Sequence, residues 1–236
     1  MTAEAQNQKV IAFVLYPGLT ALDIIGPLQV FRSLQRLDPR FQPVVVGARV
    51  APMDSDTHLR MIPDKSFDEV PHPSVLIVPG GLLPTFRAMS NPAIRRYVRR
   101  AAQTAEVVGS VCTGALILAA VGLLEGRPAT THWACTKVLE KLGARSVRSR
   151  WVEDGKVITS AGVSAGIDMA LHLVARLTDE ATARQVQLDL EYDPQPPLGR
   201  IDWKHMSTLP RVFRGSISLA APLIAWRPRR LTALGR

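Results

Sequence analysis

The sequence predicts an α/β protein built on a mostly parallel central sheet that helices cover on both faces. Two observations support this prediction. Predicted strands alternate with predicted helices along the chain, which is the order that parallel sheets require. The central strands, of which 75–78 is the clearest, are apolar on both faces and are therefore expected to be buried on both. Sites in such sheets lie at the carboxyl ends of the strands.

Each predicted element rests on a local signal in the chain. Apolar runs that end at turn residues predict the strands, and longer apolar or amphipathic segments between turn residues predict the helices. The predicted strands are 10–16, 41–47, 75–78, 107–111, 151–153 and 157–159. The last two form a hairpin that turns at Asp154-Gly155. The predicted helices are 21 or 23 to 37, 92–105, 115–124, 134–142, 167–177 and 179–190. Residues 53–68 are predicted to be irregular, with short hairpin strands.

Length and composition favour one globular domain over a membrane or disulfide-stabilised protein. The chain has 236 residues, of which 47% are hydrophobic and 21% are charged, an ordinary balance for a globular protein. No apolar run reaches the ~18 residues of a membrane helix, and the polar N-terminus lacks the apolar core of a signal peptide. Cys112 and Cys135 are too few for a disulfide framework. We therefore expect a soluble, cytoplasmic protein.

The positive charge is concentrated at the C-terminal end. The formal net charge is +9, and the residues after Pro197 hold +7 of it, with eight basic residues against one acid. The proline-rich stretch 194–197 marks a break in composition. We expect a catalytic domain over residues 1–197 and a basic tail over 198–236. The tail could contact an anionic partner, but a solvated end is the favoured interpretation, so nucleic-acid binding is not expected.

Cys112 is the leading candidate for a functional residue. It ends the apolar run 107–111 and is followed by Thr113-Gly114 and a helical stretch, which predicts a thiol on a sharp strand–turn–helix connection. Such a connection is similar to the elbow that carries the nucleophile in hydrolases. The N–H groups and the dipole at the helix start favour a thiolate there. The alternative is an inert core cysteine.

Backbone N–H groups near the cysteine are candidates for stabilising charge that develops on a substrate. The N–H of Thr113, at the predicted helix start, is one of them. Gly80 and Gly81 follow the strand 75–78 and are others, because glycine lets the backbone approach a ligand closely. The alternative for the two glycines is an ordinary tight turn.

Asp23 and His132 are the candidate proton-transfer residues. Asp23 lies in an otherwise apolar segment, where desolvation raises the pKa of a carboxyl and suits it to proton transfer. A helix N-cap is an equally good interpretation of Asp23. His132 could act as a base for Cys112 or could belong to a structural turn. Asp168, at the start of a later helix, is interpreted as a cap.

Together these motifs resemble the DJ-1/PfpI superfamily over about residues 9–197. The matching residues are Tyr16-Pro17-Gly18, Asp23, Gly26-Pro27, 78–81, 111–114, 129–133 and 165–168. The resemblance is greatest to the isonitrile-hydrating branch, for which the stretch 187–197 is quite specific. It implies a flavodoxin-like three-layer α/β sandwich and a homodimer.

Departures from other branches of the superfamily narrow the expected function. The DJ-1-like branch has Glu at the position of Asp23, and the shorter Asp leaves room for a substrate or water beside the thiol. The protease branch has His directly after its cysteine, whereas this chain has Thr113, which argues against a peptidase. The regulator branch carries a helix-turn-helix domain, for which the 39 residues after Pro197 are too few.

The resemblance implies a hydro-lyase that needs neither cofactor nor metal and converts an isonitrile to an N-substituted formamide. Cys112 would attack the isonitrile carbon and form a thioimidate. Asp23 would supply a proton and then orient water, and Thr113 would hydrogen-bond Asp23 or the intermediate. Gly80, Gly81, His132 and Trp133 would bind the substrate, with 82–86 helping to line an apolar pocket.

Two other functions remain open at this stage. One is a regulator or sensor in which Cys112 binds a ligand or becomes oxidised. The other is a DJ-1-like glyoxalase or stress protein. Neither requires a membrane.

Overall fold

A seven-stranded sheet forms the centre of the protein, whose computed structural model describes residues 8–203. The strands are β1 (Lys9–Val14), β2 (Phe41–Gly47), β3 (Met53–Asp54), β4 (Arg60–Met61), β5 (Lys65–Ser66), β6 (Val75–Val78), β7 (Val107–Ser110), β8 (Pro128–Ala129), β9 (Arg145–Ser146), β10 (Trp151–Asp154) and β11 (Val157–Ser160). The helices are α1 (Ala21–Leu37), α2 (Leu83–Ser90), α3 (Pro92–Thr104), α4 (Gly114–Ala120), α5 (Thr136–Lys141), α6 (Ala165–Leu177) and α7 (Glu180–Asp189).

The strand order of the main sheet is β10-β11-β7-β6-β1-β2-β5, and only the β10–β11 hairpin is antiparallel. The predicted mostly parallel sheet is therefore confirmed. In the centre, Val78 of β6 lies opposite Ser110 of β7. The segments that follow these two strands consequently leave the sheet side by side, at its carboxyl edge.

The helices form two layers, one on each face of the sheet. In the strand order, β2 lies next to β1 towards β5, whereas β7 lies next to β6 towards β10, so these two crossovers run across the sheet in opposite directions. Because such crossovers are right-handed, α1 and α3 lie on opposite faces. Helices α6 and α7 pack with α1, whereas α2 and α4 pack with α3. The sheet is thus the middle layer of a three-layer sandwich, and β6 and β7 are buried along their whole length.

Helix α2 is an element that the sequence pattern did not predict. It begins at Leu83, two residues after Pro79-Gly80-Gly81, a stretch typical of a loop. Pro84 lies in its first turn, where proline is favourable because the N–H that it lacks has no partner within the helix. The other differences are smaller. The predicted helix 134–142 begins as a 3₁₀ turn at Trp133–Cys135 before α5, and the short strands β8 and β9 were not expected.

Gly114 lets α4 start in direct contact with the central sheet. Every residue of α4 is buried. A Cβ at position 114 would overlap the carbonyl oxygen of Val78, at the end of β6. Because that oxygen belongs to backbone in the middle of the sheet, it cannot move aside cheaply. A residue without a side chain is therefore required where the turn from β7 enters α4.

The predicted tail lies mostly outside the described residues, because the structure describes none of 204–236. The division into a catalytic domain at 1–197 and a tail at 198–236 stays a prediction, as does the cytoplasmic location. In the part of the chain that is described, no helix is long and apolar enough to span a bilayer.

We expect Gly114→Ala to destabilise the fold through this overlap with Val78. The free energy of unfolding, measured by urea denaturation, should fall by more than about 2 kcal/mol. The matched control is Gly162→Ala, because a Cβ there would make only an ordinary contact of 3.6 Å with the His132 ring. The control should change the unfolding free energy by less than about 1 kcal/mol. Equal stabilities for the two variants would contradict the packing described.

Candidate active site

Cys112 lies on a strained turn between β7 and α4. Its φ is 55°, in the left-handed region that residues other than glycine rarely adopt. Its N–H donates to the carbonyl of Ala161 at 2.8 Å, and its own carbonyl accepts a hydrogen bond from the Thr131 hydroxyl at 2.9 Å. These bonds hold the backbone in the unfavourable conformation. The strand–turn–helix arrangement predicted for this segment is present.

Asp23 is a fully buried carboxyl beside the Cys112 thiol. It lies in the first turn of α1, with 0% of its surface exposed. Its Oδ2 accepts a hydrogen bond from the Gly80 N–H at 2.9 Å, whereas its Oδ1 has no hydrogen-bond partner within the described structure. The N-cap residue of α1 is Thr20. Asp23 therefore does not serve as the helix cap that the sequence left open.

Burial raises the pKa of Asp23 from 3.8 to about 7. The hydrogen bond from Gly80 and the contact with the Cys112 thiol both lower this pKa, but desolvation outweighs them. The carboxyl is consequently half protonated near neutral pH. Its proton belongs on Oδ1, because Oδ2 already accepts from an N–H donor. This agrees with the raised pKa that the apolar segment predicted.

The expected thiolate at Cys112 is wrong for the folded protein in this state. Cys112 is 1% exposed. Burial, and then the charge of Asp23, raise the pKa of the thiol well above its ordinary value. The Thr113 N–H lowers the pKa, as the helix-start argument predicted, but it is a smaller influence than burial. The resting Cys112 side chain is therefore a neutral thiol, and it lies next to a carboxyl that is partly protonated near pH 7.

Gly80 and Gly81 lie against Asp23 and Thr113, to which their N–H groups donate. A Cβ on Gly80 would be 2.6 Å from the Thr113 nitrogen and 2.8 Å from Asp23 Oδ2, so no other residue fits there. The N–H of Gly80 donates to Asp23, and the N–H of Gly81 donates to Thr113 Oγ1 at 3.0 Å. Both groups expected to face a substrate thus donate to side chains of the protein. The Thr113 N–H, by contrast, is directed at the Cys112 sulfur.

The hydroxyl of Thr113 does not bond Asp23, which was one of the two partners expected from the sequence; its bond to a reaction intermediate stays a prediction. It accepts hydrogen bonds from the N–H groups of Gly81 and Leu82, at 3.0 and 3.2 Å. It also shares a hydrogen bond of 2.8 Å with the hydroxyl of Thr85 in α2. The Thr113 side chain therefore binds the loop that follows β6, while the Thr113 backbone N–H is directed at the Cys112 sulfur.

His132 and Trp133 form a structural turn near the cysteine. Nδ1 of His132 accepts a hydrogen bond from the Ala134 N–H at 3.4 Å and caps the 3₁₀ turn. Burial lowers the pKa of His132, and its ring lies 5.5 Å from the ring of Trp133. The preceding residue, Thr131, is the one that bonds the Cys112 backbone. The structural interpretation of His132 thus gains support over the role of base.

Asp168 joins a surface cluster instead of capping its helix. The N-cap position of α6 is Ser164. Asp168 forms an ion pair with Arg150 and accepts a hydrogen bond from the Tyr192 hydroxyl at 2.9 Å. These contacts anchor the segment after α7, which contains most of the stretch 187–197 that resembles isonitrile-hydrating proteins.

Tyr16 and Thr85 are two buried residues of the site for which no hydrogen-bonding role was expected from the sequence. The Tyr16 hydroxyl donates to the carbonyl of Pro79 at 3.0 Å and lies 3.2 Å from the Thr85 hydroxyl. Tyr16 stands in one of the matching motifs, which is a signal that could have drawn attention to it. Thr85 belongs to the range 82–86 that was expected to line an apolar pocket, but nothing signalled its hydrogen bonds, because its helix was not predicted.

Known proteins similar to this chain combine the same fold with different activities. An isonitrile hydratase of Pseudomonas putida is 42% identical over 187 residues, which cover 79% of this chain and 80% of that protein. An HTH-type transcriptional regulator of Pseudomonas aeruginosa is 31% identical over 192 residues, which cover 80% of this chain but 55% of the regulator. The shared region therefore occurs both as most of an enzyme and as part of a longer regulator.

Solved structures and a family profile agree with the observed architecture. A THiJ/PfpI family protein from Pseudomonas syringae has a TM-score of 0.79 at 37% identity and covers 91% of this chain and 87% of its own. Drosophila melanogaster DJ-1beta, at 20% identity, has a TM-score of 0.71 over 79% of this chain and 100% of its own, which shows the fold. The DJ-1/PfpI family profile matches residues 9–176. With its three-layer sandwich and its cysteine on the turn after β7, the chain belongs to the DJ-1/PfpI family.

Proposed function

We propose that this protein hydrates isonitriles to N-substituted formamides, with Cys112 as nucleophile and Asp23 as proton donor. The observation that carries the proposal is the pairing of the Cys112 thiol with a carboxyl whose Oδ1 has no hydrogen-bond partner in the described structure. The 42% identity with the isonitrile hydratase of Pseudomonas putida supports this class of reaction. A buried, mostly neutral pair suits a small uncharged substrate.

The first step adds sulfur and hydrogen to the isonitrile carbon. The carbon of R–N≡C forms a bond to the Cys112 sulfur and receives the proton of Asp23 Oδ1. The thiol proton passes to Asp23, so that the carboxyl is restored, and the product is the thioimidate R–N=CH–S–Cys112. The raised pKa of Cys112 is compatible with this step, because the thiol loses its proton only as its sulfur bonds to carbon.

The second step hydrolyses the thioimidate. Asp23 gives the proton it regained to the imine nitrogen and then, as the carboxylate, accepts a proton from water while the water oxygen bonds to the thioimidate carbon, which forms R–NH–CH(OH)–S–Cys112. The C–S bond then breaks as the hydroxyl proton passes to the Cys112 sulfur, which releases R–NH–CHO and restores the thiol. Isonitrile and water are consumed and the formamide is formed, so this sequence of steps uses no cofactor. Two easier steps thus replace one difficult addition of water.

The surrounding groups have supporting roles in this proposal. The Thr113 N–H, directed at sulfur, stabilises negative charge on it during attack and departure. The Gly80 N–H orients Asp23. A role for Gly81 in binding the intermediate would require its N–H to exchange the bond to Thr113. His132 and Trp133 are proposed to border the substrate, with the indole on the apolar R group.

A sensor that binds a small molecule at Cys112 is the second candidate function. The 31% identity with an HTH-type transcriptional regulator supports it. A sensor would bind or be modified by its ligand without turnover. The two candidates therefore differ in whether purified protein consumes substrate many times per active site.

We also propose that two copies of this chain associate through the start of α1. Leu22 and Ile25 flank Asp23 and are 46% and 38% exposed, although both are large apolar residues. Covering them with a second copy would remove apolar surface from water.

Cys112→Ala should abolish the hydration of cyclohexyl isocyanide, because it removes the nucleophile. We expect kcat to fall by roughly a thousandfold or more, measured as formation of the N-substituted formamide. Cys135→Ala is the matched control, since Cys135 is also a buried free thiol at 1% exposure. It should keep kcat within about tenfold of the wild type. Undiminished turnover by Cys112→Ala would refute the mechanism, and stoichiometric binding by wild type without turnover would favour the sensor.

Asp23 should make the fold less stable as the pH rises. Because its folded pKa of about 7 exceeds the unfolded value of 3.8, its stabilising effect is complete below about pH 4 and is lost as the pH rises through 7. Between pH 5 and 8, wild type should lose about 2 kcal/mol more unfolding free energy than Asp23→Asn. Urea denaturation at both pH values, at one protein concentration, measures this difference. Parallel pH profiles would show that Asp23 has an ordinary pKa.

Leu22→Arg should weaken the proposed dimer, because it places a charge in the covered surface. Light scattering during size-exclusion chromatography should show a dimer for wild type and a monomer for this variant. Leu37→Arg is the control, because Leu37 lies at the other end of the same helix and is 45% exposed. A dimer that survives Leu22→Arg, or a wild type that is monomeric, would exclude this interface.

A further inference from the structure

A chain of three buried hydroxyl groups runs behind the proposed catalytic pair. Tyr16, Thr85 and Thr113 are each at most 2% exposed. The Thr113 and Thr85 oxygens are 2.8 Å apart, and the Thr85 and Tyr16 oxygens are 3.2 Å apart. The three residues come from the loop after β1, from α2 and from the turn before α4. The hydroxyl chain therefore joins three separate parts of the fold.

Each end of the hydroxyl chain independently determines the direction of the hydrogen bonds within it. At one end, Thr113 Oγ1 accepts from two backbone N–H groups, which use both lone pairs and leave its proton for Thr85. At the other end, the Tyr16 hydroxyl donates to the Pro79 carbonyl, so that it must accept from Thr85. Both constraints require Thr113 to donate to Thr85 and Thr85 to donate to Tyr16. A single consistent orientation satisfies every hydroxyl.

The hydroxyl chain holds both sides of the loop that carries Gly80. Tyr16 binds the carbonyl of Pro79 on one side, and Thr113 binds the N–H groups of Gly81 and Leu82 on the other. Leu82 has a φ of 47°, a conformation that a side chain disfavours and that persists only where neighbouring contacts enforce it. Between these attachment points the Gly80 N–H is directed at Asp23.

We propose that Tyr16, Thr85 and Thr113 act as a hydroxyl clamp that positions the Gly80 N–H on Asp23, which makes Tyr16 and Thr85 positioning residues for the hydration. The kinetic part of this inference rests on the proposed function. The geometric part concerns the folded protein alone. The Thr113 hydroxyl donates to Thr85 and accepts from the loop, so all of its hydrogen bonds are used within the clamp. Only the backbone N–H of Thr113 is directed at the Cys112 sulfur.

Loosening the clamp should raise the pKa of Asp23. The hydrogen bond from Gly80 lowers that pKa, so a misplaced N–H removes a group that stabilises the carboxylate. The titratable groups that interact with Asp23 are Cys112, Asp56 and Tyr16. A merely structural change would alter stability or kcat but would leave the pH at which Asp23 titrates where it was.

Thr85→Val tests the clamp, because it keeps the shape of the side chain and removes its hydroxyl. In the pH profile of kcat for cyclohexyl isocyanide, activity that needs protonated Asp23 falls as the pH rises. We expect this falling limb to move upward by about 0.5 pH unit or more in Thr85→Val. Thr85→Ser is the matched control, since it retains the hydroxyl, and its limb should stay at the wild-type position. Equal limbs for Thr85→Val and wild type would overturn the proposal.

A second measurement keeps the clamp testable if no isonitrile is hydrated. The pH dependence of unfolding is measured for Thr85→Val and for Thr85→Val/Asp23→Asn, and the difference isolates the titration of Asp23. This difference stops changing above the pKa of folded Asp23, and the pH at which it levels off should lie about 0.5 pH unit higher than in the wild-type background. Tyr16→Phe, which frees the Pro79 carbonyl, replaces Thr85→Val if that variant does not fold, and should move this pH the same way. If the levelling-off pH does not move, the clamp is refuted, whereas absent turnover with a moved levelling-off pH refutes only the proposed function.

Discussion

Desolvation of one carboxyl group governs the chemistry of this site. Asp23 has no exposed surface, and the parallel register of β6 and β7 brings the loop at Gly80 and the turn at Cys112 against it. One backbone N–H compensates one of its oxygens, and the other oxygen has no hydrogen-bond partner in the described structure. A buried charge with so few hydrogen bonds is costly, so the group retains its proton to about pH 7. The neighbouring thiol is kept neutral by the same burial.

The two acids therefore influence each other in a way that neither would show alone. A thiolate at Cys112 would raise the pKa of Asp23, and a carboxylate at Asp23 raises the pKa of Cys112. Near neutral pH this mutual repulsion favours at most one negative charge in the site. Addition of a thiol to an isonitrile has the same requirement, since one proton must be available while sulfur forms its bond. The electrostatics and the proposed reaction are thus matched.

Much of this arrangement could be predicted from the chain, and the rest depends on packing. Alternating apolar strands and helices indicated the parallel sheet, and the motifs around Cys112 and Asp23 indicated the two residues that the structure brings together and that we propose as nucleophile and proton donor. The protonation of Cys112 could not be predicted, because a helix start favours thiolate and only the folded structure shows how completely the side chain is buried. The hydrogen bonds of Thr85 were missed for another reason. Its helix follows Pro-Gly-Gly, where the local sequence is typical of a loop although tertiary contacts make it helical.

The close packing at Gly114 has a consequence for how related sites diverge. The turn between β7 and α4 has no room for a side chain at that position, and a side chain at Gly80 would also clash, with the Thr113 backbone. Under the proposed function, substitutions that change substrate preference would therefore have to fall elsewhere. Leu83, which is 57% exposed at the start of α2, and the half-buried Trp133 are positions where a side chain could change in size without moving the backbone that carries Asp23 and Cys112. The proposed substrate could thus change while the glycines that hold the carboxyl and the thiol in place stay the same.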